Sequence, residues 1–268
     1  MTVHVERTGP VGVITLDRPR RRNAVDRPTA DALAAAVSSL DGDAELAAIV
    51  LTGAGGTFCS GADLHALDDP DRRNRLSATL DGPMGPTRTA PRLPVIAAVE
   101  GHAVAGGLEL ALWADLRVVS STAVFAVSCR RVGVPLVDGG TVRLPRIVGQ
   151  GIALDLILTG REVDADEAMR IGLANRLVAA GTAREHAVDL GRRLATFPRT
   201  TMLCDLAAAR EAFDRPLGSA LLAEHEHGME AIGVGSPDAG VAAFRSGAGR
   251  GHAGIDLGVP DADPSGGP

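Results

Sequence analysis

Residues Pro94–Ser120, PVIAAVEGHAVAGGLELALWADLRVVS, decide how the rest of the chain is read. Pro94–Val99 is a short apolar run containing Val and Ile, bounded by proline and glycine, and predicts a buried strand. Ala105-Gly106-Gly107 then opens a helix whose Leu108, Leu112 and Trp113 fall at helical spacing, and Leu116–Val119 returns to strand. Two consecutive glycines make poor helix interior, yet they let a first turn approach a ligand closely with its N–H groups unpaired. Such a terminus favours negative charge. Glu109 stands alone as a carboxylate in this otherwise apolar helix. It is either a first-turn residue that complements the helix dipole or a general acid/base beside an anion hole that includes the Gly106 N–H.

Toward the N-terminus, Val11–Leu16 and Leu46–Thr52 are further strand candidates, the second ended by Gly53. Between them, Asp17–Asn23 is a turn with four arginines among its seven residues, either a solvated loop or a phosphate contact at the mouth of a site. Thr29–Leu40 has helical spacing with Thr29 as the expected N-cap. Phe58–Leu64 turns through Gly61 into a short helix for which Asp63 is the expected N-cap. Asp69–Ala90, punctuated by Pro70, Gly82, Pro83, Gly85 and Pro86, is irregular and suits a pocket wall.

Toward the C-terminus, Ala123–Val127 reads as strand, and Gly139-Gly140 opens a helix over Thr141–Val148 that Ile152–Leu158 continues. Asp164 caps a helix that Gly172 ends, and Asn175–Val178 is extended. Thr182–Phe197, Thr200–Phe213 and Leu217–Ile232 are long helices broken at Pro198 and Pro216, followed by Asp238–Arg245. Beyond Gly247 the Gly, Pro and Asp content predicts a frayed tail. Strand and helix alternate first and helix alone follows, which predicts an α/β core with a C-terminal helical layer.

The 268 residues allow one large domain or two small ones. Hydrophobic residues make up 45% but aromatic ones only 2%, so the core is built from Ala, Val, Leu and Ile. All 27 basic residues are arginine, and the absence of Lys and Tyr excludes a Schiff-base lysine and a tyrosine acid. A net charge of −6 argues against nucleic acid or an anionic membrane as the main partner. Cys59, Cys129 and Cys204 are odd in number and widely spaced, suggesting neither a disulfide framework nor a zinc site. His225 and His227, two apart on a helix, point to different faces and make a poor metal pair. With charged residues in its first seven positions and no long apolar span, the chain is expected to be cytoplasmic.

The turn Ser60-Gly61-Ala62-Asp63 after one strand, and Ala105-Gly106-Gly107-Leu108-Glu109 after the next, resemble in order and spacing the crotonase (enoyl-CoA hydratase/isomerase) family. The resemblance runs from Val11 to about Arg245. It takes in Asp17-Arg18-Pro19 with Asn23-Ala24, Ile49–Gly53, Pro94–Val99, Asp115, Phe125-Ala126, Gly139-Gly140-Thr141 with Arg143-Leu144, Leu158-Thr159-Gly160 and Gly172-Leu173-Ala174. It implies a ββα superhelical core that binds acyl-CoA over residues 1–195, a helical trimerisation region over 196–246 and a tail over 247–268.

Matched position by position, the resemblance makes the N–H groups of Ala62 and Gly106 an oxyanion hole for a thioester carbonyl. It places Glu109 on one of the two glutamates with which hydratases of this family activate and deliver water. Arg22, Ala24, Ser60, Gly61, Asp63, Leu64, Gly107 and Val132 fall at substrate- or CoA-binding positions; apart from the resemblance, Met84 and Arg88 of the irregular segment are candidates to border the acyl group. His65 is either a pocket residue or an ordinary surface or core histidine. The second hydratase glutamate falls on Cys129, a poor substitute at an ordinary thiol pKa unless Arg130 and Arg131 lower it. Asp138 lies one residue from where some isomerases and dehalogenases of the family carry an aspartate; it either faces the pocket or caps the helix at Gly139. The resemblance therefore implies hydration of 2-enoyl-CoA. Double-bond isomerisation by one carboxylate, or acyl-CoA binding without turnover, are the alternatives. No metal or redox cofactor is implied, coenzyme A being part of the substrate, and the expected assembly is a homotrimer or a dimer of trimers.

Overall fold

The computed structural model describes residues 2–77, 81–234 and 237–247, so the expected tail beyond Gly247 lies outside the described residues. They form two compact units that divide between Gly191 and Arg192.

The first unit begins with a hairpin of β1 (Val3–Thr8) and β2 (Val11–Leu16), followed by α1 (Arg27–Asp41) and β3 (Ala48–Gly53). Next come β4 (Val95–Val99), β5 (His102–Val104), α2 (Gly106–Trp113), β6 (Leu116–Ser120) and β7 (Val124–Ala126). Helices α3 (Gly140–Val148) and α4 (Gln150–Thr159), strand β8 (Glu162–Asp164), helix α5 (Ala165–Arg170), strand β9 (Arg176–Val178) and helix α6 (Ala183–Leu194) complete the series.

One sheet has the order β1-β2-β3-β4-β6-β9, parallel from β2 onward, and β5-β7-β8 form a second. Single parallel bridges, Val25 to Ala62 and Cys59 to Ala103, carry the second sheet's direction back toward the N-terminus. Successive passes of the chain thus lay a strand in the first sheet, cross toward the second, and return by helix or loop. Every residue of β4, and all but the last of β3, is buried, as interior parallel strands covered on both faces require.

Helix α2 is buried from Gly107 through Trp113, which is why its apolar residues fill all sides. Its far end is tied down from within. The buried Arg117 donates from Nη1 to the Ala114 carbonyl at 2.8 Å and from Nε to the Leu173 carbonyl at 2.6 Å. Trp113 is core, as its position suggested, and its indole donates to Thr89 O at 2.8 Å.

Several boundaries differ from the sequence reading. Helix α1 starts at Arg27, and its N-cap is Asp26 rather than Thr29: the Asp26 carboxylate accepts from the Thr29 N–H at 3.2 Å. Strand β1 has no apolar signature because it is an edge, with four of its six residues exposed. Strands β5 and β8 span three residues each, too short for periodicity to show. Helices α3 and α4 are separate because Gly149, at φ +80°, turns the chain between them.

The second unit holds α7 (Arg199–Glu211), α8 (Leu217–Val234) and α9 (Pro237–Arg245). Helices α7 and α8 pack on each other, and Leu217, Leu221, Leu222, Met229 and Ile232 of α8 are exposed. Among the described residues, no helix is long and apolar enough to cross a membrane.

Candidate active site

Two backbone turns meet at the N-terminus of α2. A Cβ added to Gly61 would sit 2.9 Å from the Gly106 nitrogen, and one added to Gly107 would lie 2.0 Å from the Cys59 carbonyl oxygen. Only glycine permits this approach. Ala105, immediately before α2, is held at φ +52°, a strained conformation for a residue with a Cβ. Its N–H donates to the Ala126 carbonyl at 2.9 Å, and its own carbonyl accepts from Glu109 N at 3.2 Å. Gly106, as the first helical residue, has no intrahelical acceptor. Among the described residues, no backbone carbonyl accepts from the N–H of Ala62 or Gly106. Two unused donors therefore lie on abutting turns. The Met84 thioether covers Gly106, its sulfur 2.7 Å from where a Cβ on Gly106 would stand.

Glu109 follows on the first turn of α2 and is 2% exposed. Its Oε1 accepts from the N–H of Asp138 at 2.8 Å and of Gly140 at 2.9 Å, leaving Oε2 outside these bonds. Burial pushes its pKa up to about 7 and the Asp138 charge adds to the rise, while the two N–H donors and Arg143 pull the other way. A carboxyl balanced near neutrality can both take and give a proton.

Asp138 neither caps α3, whose N-cap is Gly139, nor leaves its side chain unengaged. Its Oδ1 accepts from Met84 N at 2.9 Å and from the Thr87 hydroxyl at 2.5 Å. Burial raises its pKa, against these two bonds and the charges of Arg88 and Arg143. Arg143 in turn donates to the carbonyls of Asp138 (2.9 Å) and Thr87 (2.6 Å).

Cys129, in the turn Ser128–Val132, is buried. Its pKa is raised, first by burial and then by the nearby Glu109 charge. Of the two arginines that could have lowered it, the Arg130 charge acts in that direction but is outweighed by burial and the Glu109 charge. Arg130 donates to the Ile157 carbonyl at 3.2 Å and Arg131 to the Gly160 carbonyl at 3.4 Å, so both guanidinium groups are drawn to the end of α4.

A cleft of about 310 Å³ is lined by Arg20, Arg21, Arg22, Ala24, Ser60, Ala62, Asp63, Leu64 and His65. It gathers most of the positions singled out for coenzyme A, together with one donor of the hole and His65. Gly61, Gly107 within α2, and Val132, exposed at the end of its turn, are not among its lining residues. Arg18, unlike its neighbours, turns inward. It donates to the Ala24 carbonyl and to Asp63 at 2.7 Å, and lies 3.2 Å from Asp26, which Arg72 also meets at 2.7 Å. Asp63 accepts from His65 N at 3.1 Å, as an N-cap should, but its main partner is this arginine. Asp26 and Thr87 were missed from sequence. Asp26 carried a signal, an aspartate two residues before Pro28, which often starts a helix.

The chain belongs to the enoyl-CoA hydratase/isomerase family, whose model matches residues 6–244. A Mycobacterium tuberculosis protein named "Probable enoyl-CoA hydratase echA8" is 35% identical over 243 residues, covering 91% of this chain and 94% of the relative. The "Short-chain-enoyl-CoA hydratase" of Clostridium acetobutylicum is 33% identical over 230 residues, 84% of this chain and 87% of that one. The crystal structure of enoyl-CoA hydratase EchA1 from Mycobacterium marinum superposes with a TM-score of 0.86 at 32% identity, covering 91% and 96% of the two chains. The fold is therefore the crotonase fold.

Proposed function

We propose that this protein adds water across the double bond of 2-enoyl-CoA thioesters. The observation that carries the reading is the buried Glu109 carboxyl, anchored through one oxygen beside two unused N–H donors. The thioester oxygen accepts from Ala62 N–H and Gly106 N–H. Charge then develops on that oxygen as water attacks Cβ, and donors fixed in advance stabilise it without reorganising. Glu109 Oε2 takes a proton from the attacking water and delivers one to Cα. Losing one donor of such a hole typically costs ~3–4 kcal/mol of transition-state stabilisation. Arg20, Arg21 and Arg22 on the cleft suit the phosphates of the CoA nucleotide. A trimer or a dimer of trimers is part of the proposal, supported by the exposed apolar side chains of α8; a cytoplasmic setting is part of it on the sequence reading alone.

A second reading rests on Cys129. Where hydratases of the family carry another glutamate, this chain has a thiol with a raised pKa, which leaves Glu109 as the single acid/base; moving a proton between Cα and Cγ then gives the isomerase. The test is turnover of crotonyl-CoA and of a 3-enoyl-CoA by the wild type, Glu109→Gln and Cys129→Ala. Hydration removes the conjugated-enone absorbance of crotonyl-CoA, and isomerisation creates it from the 3-enoyl thioester. Glu109→Gln is expected to lose about a thousandfold or more in kcat, and Cys129→Ala to keep the wild-type rate. Wild-type inertness on both substrates, with CoA-thioester binding retained, would replace both readings with a non-catalytic acyl-CoA binder.

A further inference from the structure

Asp138 is joined to the site by two different parts of itself. Its N–H donates to Glu109 Oε1, and its carboxylate holds Met84 N and the Thr87 hydroxyl. Met84 is the residue whose side chain covers Gly106. A single residue therefore links the carboxyl that moves the proton to the segment that walls the thioester site. Among the described residues, the remaining charged or titratable groups around Glu109 are Arg143 on α3 and the Cys129 thiol, while Arg88 and Arg143 face Asp138.

We propose that Asp138 is a positioning residue, one that seats the Met84–Thr87 wall and, through its negative charge and its N–H, sets the orientation and proton affinity of Glu109. No proton transfer is assigned to it, since the partners of its carboxylate are Met84 N and the Thr87 hydroxyl of the wall. The arrangement ties two requirements together. When the wall is seated, Met84 lies over the hole and Glu109 is anchored for transfer. When the wall loosens, both are lost at once. The inference rests on the role given to Glu109 above.

The test compares Asp138→Asn with Asp138→Ala in the full chain. Asn keeps an acceptor for Met84 N and Thr87 but removes the charge; Ala removes both. The Glu109 titration is followed directly in the free protein by NMR of carbon-13-labelled glutamate, assigned with Glu109→Gln, and kcat and KM are measured across pH. In Asp138→Asn the Glu109 midpoint is expected to fall by about half a unit or more, since a neighbouring like charge is gone. The matching limb of the kcat/KM profile should move the same way, with kcat within about tenfold of wild type. Asp138→Ala is expected to raise KM as well and to speed amide exchange over residues 82–88, which Asn should largely rescue. An unchanged Glu109 midpoint in Asp138→Asn would overturn the proposal. So would an Asn variant as inactive as Glu109→Gln with substrate binding intact, which would make Asp138 a proton-transfer group. A shifted midpoint in a protein that turns over no enoyl thioester would uphold the coupling while the proposed function fails.

Discussion

Replacing Glu109 by Gln should make the folded protein more stable at alkaline pH while it disables catalysis. The folded carboxyl titrates at about 7, against an ordinary value of 4.5, chiefly because it is buried. Between those two values the folded state keeps a proton that the unfolded chain has released, so stability falls as pH rises through that window. The difference corresponds to roughly 3 kcal/mol once pH is above 7, at about 1.4 kcal/mol per unit. Gln cannot ionise and escapes this penalty. Its carbonyl oxygen can accept from Asp138 and Gly140 N–H as Oε1 does, but its amide group enters the place of Oε2 and needs an acceptor, a cost of about 1 kcal/mol. The variant should therefore be about 1 kcal/mol less stable than wild type near pH 4.5 and about 2 kcal/mol more stable at pH 8. Urea unfolding of both proteins at a fixed protein concentration, in half-unit steps over that range, measures the crossing. Parallel stability curves would refute the reasoning, because they would mean that the two carboxyl environments bind protons alike.

Arg18→Met should destabilise the protein by about 3 kcal/mol at pH 7, since it removes the nearer ion-pair partner of Asp63, whose side chain is 1% exposed, and leaves only Arg72 at 3.7 Å. Burial works against the charge of Asp26, but its bonds to Thr29 and Arg72 and the Arg18 charge hold its pKa below 3.8. That stabilisation is fully present above the ordinary value and is lost as pH falls through the lower folded value, so the cost of Arg18→Met should shrink in acid. Equal losses at pH 7 and at pH 2.5 in urea titrations would contradict this. Gly107→Ala should cost about 3 kcal/mol or more, because the new methyl would stand 2.0 Å from the Cys59 carbonyl oxygen. Gly151→Ala in α4, where nothing lies within 4 Å, should be neutral or gain about 0.5–1 kcal/mol from helix propensity. Similar urea midpoints for these two variants would show that the contact at Gly107 does not constrain the turn.

Much of the fold could be read locally because its signals are local. Ile49–Leu51 and Val95–Val99 are continuous apolar runs, and buried parallel strands must have such runs since both faces are covered. The pair Gly106-Gly107 announced a helix start that something approaches, and Glu109 a carboxylate out of place. Strand β1 escaped because an edge strand need bury few side chains, and β5 and β8 because three residues carry no period. Thr29 was mistaken for the cap because its hydroxyl is a good one in isolation; the chain contains a better one at Asp26, which accepts both the Thr29 N–H and hydroxyl. Asp138 was left between pocket and cap; it does not cap α3, whose N-cap is Gly139, and the partners of its carboxylate come from residues 84–87, far away in sequence.

The sequence by itself determined the buried strands and the long helices, the two glycine turns and the one carboxylate on a buried helix, for each depends on residues next to one another. Tertiary structure decided which atoms meet: that Gly61 abuts Gly106, that Glu109 is held through one oxygen, that Arg18 serves buried aspartates while Arg20–Arg22 line the cleft, and that burial and the Glu109 charge outweigh Arg130 at the Cys129 thiol. The physical reason is that proton affinity and hydrogen-bond partners depend on distances and burial summed over the whole fold, and residues that set them here stand dozens of positions apart.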